Sequence, residues 1–339
     1  MHAPGVVISI PVRNEAELLP RLIDALAGQD ICPSLFAVLF LFDSCHDESV
    51  SVASAAQQTC GFRMLKAHLP DGPPNAGRAR RAACRHALQS VPEAQFLLTT
   101  DADTLPSPDW IRRNLAALEA ADVVAGRISR ENAADLPLRC RQETYLERLH
   151  SLRRFLDPVA HDPYPSHPSL GGGSLAFRRK TYEALGGFPA ISTGEDTALV
   201  AEARLQGWRV RHDRSVHVLT SARTLGRAQA GLSCELAAFP AAAEAILVPD
   251  PDAAVVHYQW HNWLRRQVMG VGPLTLPAEF NLAISPARLS ELRKAAPSSD
   301  AFVEAVIFET YKLPELSLDR AEQRLAQLEA ALLPKAEAA

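Results

Sequence analysis

The run Phe96-Leu97-Leu98-Thr99-Thr100-Asp101-Ala102-Asp103 decides how this chain is read. An apolar stretch stops at two carboxylates one residue apart. If the stretch is a buried strand, both acids emerge at its C-terminal tip, where open α/β sheets bind their ligands. Two hard oxygen donors in that place suit Mg²⁺ or Mn²⁺, with phosphates and water filling the other positions. A plainer alternative is helix capping by Asp103 or Ser107 ahead of Pro108-Asp109-Trp110-Ile111. The surrounding sequence decides between the two.

Upstream, Val6-Val7-Ile8-Ser9-Ile10-Pro11-Val12 has the composition of a fully buried strand, with the polar Arg13-Asn14-Glu15 at its tip. Residues 17–27 then place Leu18, Leu19, Leu22, Ile23 and Leu26 at helical spacing, and Gly28 offers a stop. Residues 35–42 form a second apolar run, ending at Asp43-Ser44-Cys45-His46-Asp47. A helix over 49–58, a weaker strand over 62–67, a Pro/Gly loop over 69–77 and a basic helix over 78–89 follow. Strand and helix thus alternate four times before Asp103, the order of a parallel sheet with helices on both faces.

Downstream the pattern loosens. A strand is expected over 122–128, a charged helix over 139–156, and a loop over 157–168 carrying four prolines with His161 and His167. Gly171-Gly172-Gly173 opens a short strand through Phe177, a helix over 180–185 stops at Gly186-Gly187, and Thr193-Gly194-Glu195-Asp196 caps a helix over 197–206. A last strand is expected over 208–218, followed by helices over 224–247, 255–270, 287–312 and 318–335. The loop over 157–168 and the helices after 255 are expected to shape an acceptor site.

The chain has 339 residues, 47% of them hydrophobic, enough for a sizeable core. A net charge of -4 and a pI near 6.3 give no electrostatic case for nucleic acid. None of the six cysteines forms a C-x-x-C pair, so reduced thiols in a cytoplasmic protein are expected rather than a zinc knuckle. The N-terminus lacks a basic region before its apolar segment, and no apolar run approaches the ~20 residues that span a bilayer. Peripheral membrane contact and a homodimer stay open. His257 and His261 stand four apart on an expected helix with Trp260 and Trp263, a spacing that suits packing or dimerisation better than a metal site with no third ligand nearby.

Over residues 6–232 the pattern resembles the family 2 glycosyltransferases. Four features occur in that family's order: Ile10 to Glu15, Asp43 to Ser49, Thr100-Asp101-Ala102-Asp103, and the group formed by Gly171 to Arg179, Gly186-Gly187-Phe188 and Gly194-Glu195-Asp196. The resemblance implies a GT-A fold, α/β and Rossmann-like, with a mixed, mostly parallel sheet flanked by helices and a helical C-terminal extension. It divides the chain into a transferase domain over 1–232, with a nucleotide-binding half over 1–104 and an acceptor-side half over 105–232, and a helical region over 233–339.

The same resemblance implies that Asp103 holds the divalent cation, Mn²⁺ or Mg²⁺, with Asp101 either a second ligand or nearer the ribose. Asp43 would accept from the base, flanked by Pro11, Val12 and Arg13, while Glu15 orders that loop. Arg80 or Arg81 would meet the diphosphate or ribose, Ala102 lies within the metal motif, and Gly172 and Gly173 let the backbone approach the donor sugar. Asp196 would be the base of an inverting transfer, with Glu195 orienting acceptor or loop. A UDP-sugar is expected ahead of a GDP-sugar, with one sugar moved to an unknown hydroxyl acceptor. Many relatives have a histidine ligand after the last strand; here Thr220 aligns with it, His217 lies three residues early, and Arg223 and Arg227 follow. Rival readings are a retaining transferase of similar fold, a sugar-phosphate nucleotidyltransferase, disfavoured because Val12-Arg13-Asn14-Glu15 lacks glycines, and a binding module without catalysis.

Overall fold

A computed structural model describes residues 5–131, 136–221, 239, 242–267, 284–310 and 312–334. The chain forms two compact units, Met1–Ala133 with Ser169–Glu202 and Arg209–Ala238, and Ala134–Pro168 with Ala203–Trp208 and Phe239–Ala339. Residues 134–168 and 203–208, assigned by sequence to the transferase domain, therefore cluster with the C-terminal region.

The first unit is built on β1 (Val6–Val12), β2 (Phe36–Asp43), β3 (Arg63–Leu69) and β4 (Phe96–Thr99), paired in parallel in the order β3-β2-β1-β4. Every residue of β2 is buried, which is why the strand reads as an unbroken apolar run. Helices α1 (Leu19–Ala27), α2 (Ser49–Ala56) and α3 (Ala76–Ser90) make the crossovers. In α1, Leu19, Leu22, Ile23 and Leu26 form the buried stripe, and a proline in the first turn costs no hydrogen bond. Asn75 caps α3, its side chain accepting from the Arg78 N–H at 2.7 Å. Gly77, in the first turn of α3, donates to the Ile191 carbonyl at 3.0 Å, and a Cβ there would overlap the Pro189 carbonyl. Only glycine lets α3 lie this close to the segment ahead of Gly194.

After β4 the sheet becomes mixed. Its order continues β4-β7-β6-β8-β5, with β5 (Thr104–Pro106), β6 (Val123–Arg130), β7 (Leu175–Arg178) and β8 (Val210–Thr220). β7 is antiparallel to both β4 and β6, β8 is parallel to β6, and β5 is antiparallel to β8. Between β5 and β6 lies α4 (Trp110–Ala120), so a helix does follow Asp103, but its cap position is Asp109. The three-residue β5 was invisible in the sequence. It pairs Thr104 with Thr220 and so brings the end of β8 to the Asp101–Asp103 turn.

The second unit contains α5 (Pro137–Leu156), α8 (Pro251–Gln267), α9 (Pro286–Ala295), α10 (Ser299–Thr310), α11 (Leu318–Leu332) and a two-stranded sheet of β9 (Leu247–Pro249) and β10 (Glu315–Ser317). The first unit also holds α6 (Arg179–Ala184) and most of α7 (Glu195–Leu205), up to Glu202. Three expectations need correction. The helix expected over 287–312 is two helices, separated at Pro297, which cannot continue the hydrogen-bond ladder. Leu247, expected to end a helix, opens β9, which pairs with β10, and α8 begins earlier than expected, at Pro251. The rest of the helix expected over 224–247, up to 241 apart from 239, lies outside the described residues.

One core of this unit joins Tyr145, Leu149 and Leu152 of α5 to Ala254 and Tyr258 of α8 and Leu318, Ala321 and Leu325 of α11. A second surrounds Trp260 and Leu264 with Leu289, Phe302, Val303 and Val306. His261 is 1% exposed, its ring 5.6 Å from that of Trp260. Burial first, then the nearby Arg153 and Arg265, hold its imidazole pKa well below the ordinary value. In the unfolded chain the same ring takes up a proton near pH 6.5. The unfolded state therefore binds more protons below that pH, and the contribution of His261 to stability is lost as pH falls. The melting temperature is expected to drop between about pH 7.5 and 5.5, and to drop less in a His261→Leu variant. Equal drops in thermal melts of the two proteins would refute this.

Candidate active site

The order β3-β2-β1-β4 reverses direction beside β1, and a crevice at the carboxyl ends of such strands is where open sheets bind ligands. Asp43 stands at the end of β2, and Asp101 and Asp103 follow β4, at that edge.

Asp43 closes β2 and is 3% exposed. Its Oδ2 accepts from Arg13 at 3.1 Å, and Arg78 approaches its Oδ1 at 3.5 Å. Two loop residues here have left-handed backbones, Asn14 at φ 52° and Ser44 at φ 51°. Asparagine tolerates that region, but for serine it is costly, and such strain concentrates at functional sites. The Asn14 Oδ1 accepts from the His46 N–H at 2.7 Å, and Cys45 donates to the Val12 carbonyl. The Glu15 N–H donates to Ser49 Oγ at 2.8 Å, while its carbonyl accepts from Leu18 and Leu19. Glu15 thus joins the end of β1 to the starts of α1 and α2 through its main chain. Pro11 and Val12 lie within β1 beside Leu41 and Phe42.

Asp101 and Asp103 follow β4 in a tight turn, with the Thr104 N–H donating to the Asp101 carbonyl at 3.2 Å and Ala102 buried between them. Asp101 Oδ1 accepts from Arg80 at 2.8 Å. Asp103 is tethered by its main chain, whose carbonyl accepts from Ser221 at 3.1 Å, and its Oδ1 lies 3.4 Å from Thr104 Oγ1. Thr104 and Thr220 hydroxyls are 3.0 Å apart. Thr220 is therefore the β8 residue beside the metal motif, whereas His217 turns to Ser129, 2.9 Å away. Two carboxylates with hydroxyls behind them are an all-oxygen donor set of the hard kind that Mn²⁺ and Mg²⁺ take, so the residues fit a divalent cation. Arg223 and Arg227 lie outside the described residues.

The acceptor-side residues meet this turn through the glycines. The Gly172 N–H donates to Asp196 Oδ2 at 2.8 Å, and its carbonyl accepts from Thr99 Oγ1 at 2.8 Å and Arg80 at 3.1 Å. A Cβ on Gly173 would stand 3.1 Å from Asp101 Oδ2. Asp196 also accepts from the Thr197 N–H at 2.7 Å, in the first turn of α7. Glu195, 4% exposed, accepts from Arg80 Nε at 3.1 Å. Burial opposes the charge on Arg80, but Asp101 and then Glu195 outweigh it, and its pKa is raised. Arg81 instead donates to the Phe188 carbonyl at 3.1 Å.

Asp101 and the adjacent Glu195 and Asp196, far from it in sequence, thus share partners at Arg80 and Gly172, with Asp103 in the same turn as Asp101. Asn14, Ser44, Arg78, Thr99 and Thr104 join the arrangement without having been singled out by sequence. Asn14 and Ser44 had a legible signal, since turn-forming residues directly follow buried strands at both places.

Residues 7–186 match the model of Glycosyl transferase family 2. The match covers just over half of the chain, and the chain belongs to that family. Its fold is the GT-A fold. Among solved structures it is similar to S. aureus TarS 1-349 in complex with UDP-GlcNAc, at 15% identity and TM-score 0.51 over 78% of this chain and 73% of that one. It is also similar to the same protein in complex with UDP, at 17% identity and TM-score 0.49 over 64% of this chain. The match spans 60% of the length of that UDP-bound protein. The mannosyltransferase PcManGT from Pyrobaculum calidifontis, in complex with GDP-Man and Mn²⁺, matches at 17% identity and TM-score 0.49, over 99% of this chain and 82% of that one. Likeness at such identities concerns the fold.

Proposed function

We propose that this protein moves one sugar from a UDP-sugar to a hydroxyl acceptor with inversion, using a divalent cation at Asp103 and Asp101 and Asp196 as the base. The observation that carries this reading is the meeting of the Asp101 turn and Asp196 across Gly172. Breaking the anomeric bond puts negative charge on the departing diphosphate, and a cation at the two carboxylates supplies the charge that stabilises it. Asp196 stands in the first turn of α7, beside the glycine segment. Two N–H donors fix its orientation, so it acts by position.

Asp43 is an acceptor only, which suits the N3–H of uracil, and Pro11, Val12 and Arg13 flank the same place. UDP-GlcNAc in the similar TarS structure agrees with a uridine donor. Gly173 gives the donor sugar room beside Asp101. The transferase domain over 1–232 would carry this chemistry and residues 233–339 a separate, helical role. A cytoplasmic location agrees with free cysteines at 32, 45, 60, 84 and 140. Among the described residues no helix is long and apolar enough to cross a membrane.

A thermal-shift screen of nucleotide sugars with Mn²⁺ tests the reading, since a ligand bound only by the folded state raises the melting point. The expected result is a shift with one UDP-sugar, followed by its turnover and a product of inverted anomeric configuration by NMR. A product of retained configuration removes Asp196 from the role of base. Tight binding without turnover in the presence of any hydroxyl acceptor would point to a binding module.

A further inference from the structure

Each side-chain nitrogen of Arg80 already donates a hydrogen bond inside the protein. Nε donates to Glu195 at 3.1 Å, Nη1 to the Gly172 carbonyl at 3.1 Å and Nη2 to Asp101 at 2.8 Å. The residue is 7% exposed, and its guanidinium lies over the Phe188 ring, 5.7 Å from the centroid. Arg13 and Arg78, by contrast, keep side-chain exposures of 26% and 36%. We propose that Arg80 is a positioning residue that fixes the Asp101 turn and the N-terminus of α7 in one geometry, and that it is not a ligand of the donor diphosphate. The proposal rests on the reading of Asp101 as a donor-site residue and Asp196 as the base.

Three features carry it. The three acceptors come from the turn after β4, the glycine segment and the start of α7, and only a planar fork addresses three directions at once. Next, the guanidinium occupies the space where a Cβ on Gly172 would lie. Gly172 is therefore demanded by Arg80 itself, whatever the donor sugar needs. Finally, Gly172 is gripped from both sides, its carbonyl by Arg80 and its N–H by Asp196. Arg80 consequently reaches the base twice: through the adjacent Glu195, and through the backbone of Gly172. A buried guanidinium released to follow a phosphate would leave Glu195 buried without its cation, which is strongly unfavourable.

The test compares Arg80→Lys and Arg80→Ala in the full chain. Turnover is expected to fall about 100-fold in both, the scale of a misplaced reacting group. Calorimetric titration with UDP and Mn²⁺ should give a Kd within about threefold of the parent, since no phosphate contact is lost. Deuterium uptake should rise together at residues 100–104 and 194–198. Guanidinium chloride should restore part of the turnover of Arg80→Ala, and methylammonium chloride should not.

A UDP Kd weakened in step with turnover would make Arg80 a phosphate ligand and overturn the proposal. So would faster exchange at only one of the two segments, or parental turnover in Arg80→Lys. If Arg80→Ala does not fold, Glu195→Gln keeps the shape of the bridge without one charge and gives the same turnover, Kd and exchange readouts. Absence of transfer by the parent protein with every nucleotide sugar would refute the proposed function, while the exchange experiment would still decide the bridge.

Discussion

Asp103→Ala is expected to lower sugar transfer by about 1000-fold or more while leaving the fold intact. The loss is large because a carboxylate that anchors the cation anchors the charge that the leaving diphosphate needs. The fold should survive because main-chain bonding of the turn is kept: the Asp103 carbonyl takes the Ser221 N–H, and Thr104 Oγ1, which loses its long 3.4 Å contact to the carboxylate, still has the Thr220 hydroxyl. UDP release measured against Mn²⁺ concentration is the assay. A variant within tenfold of the parent, with the same Mn²⁺ dependence, would show that the cation is held elsewhere.

Asp196→Asn should cost about 100- to 10,000-fold in turnover, the usual scale for a lost general base. This variant is informative because of what it keeps. The single Asn side-chain oxygen can still accept from the Gly172 N–H, giving up the Thr197 N–H instead, so the glycine segment and the donor site beside Asp101 stay in place. UDP affinity should therefore remain near that of the parent while kcat collapses. If affinity and turnover fall together, Asp196 is a brace of the glycine segment and the proton goes elsewhere. Turnover near the parental level would remove Asp196 from the chemistry altogether.

The front of the sheet was legible in sequence because its strands are covered on both faces. Val6–Val12 and Phe36–Asp43 must be apolar almost throughout, and that requirement is visible without knowing what they pair with. The back of the sheet was harder. β7 is antiparallel between β4 and β6, pairings set by residues about eighty and about fifty apart in the chain, and β5 is too short to carry a period.

The site shows the same division. Paired acids at strand ends and acids at a helix start stand out as local patterns, but ion pairs between distant residues do not. Arg80 was expected to meet the diphosphate or ribose rather than to sit inside the protein. Its neighbours at helical spacing, Gly77, Ala83, Cys84 and Ala87, are small and all buried, and that stripe was the available sign that Arg80 points inward. Arg13 and Arg78 share Asp43 although they are sixty-five positions apart, and no spacing rule announces such a pairing.

That last arrangement separates two properties usually assumed to travel together, strength of binding and fidelity for the base. Before any nucleotide arrives, Asp43 already serves two guanidinium groups, so a base can take its carboxylate only by exchange, and the net gain is small. An Asp43→Ala protein would release both arginines toward phosphate oxygens. Competition between UDP and GDP should then show an enzyme that holds nucleotides at least as firmly as before but no longer distinguishes them, whereas weaker binding of both would place the arginines beyond reach of the diphosphate.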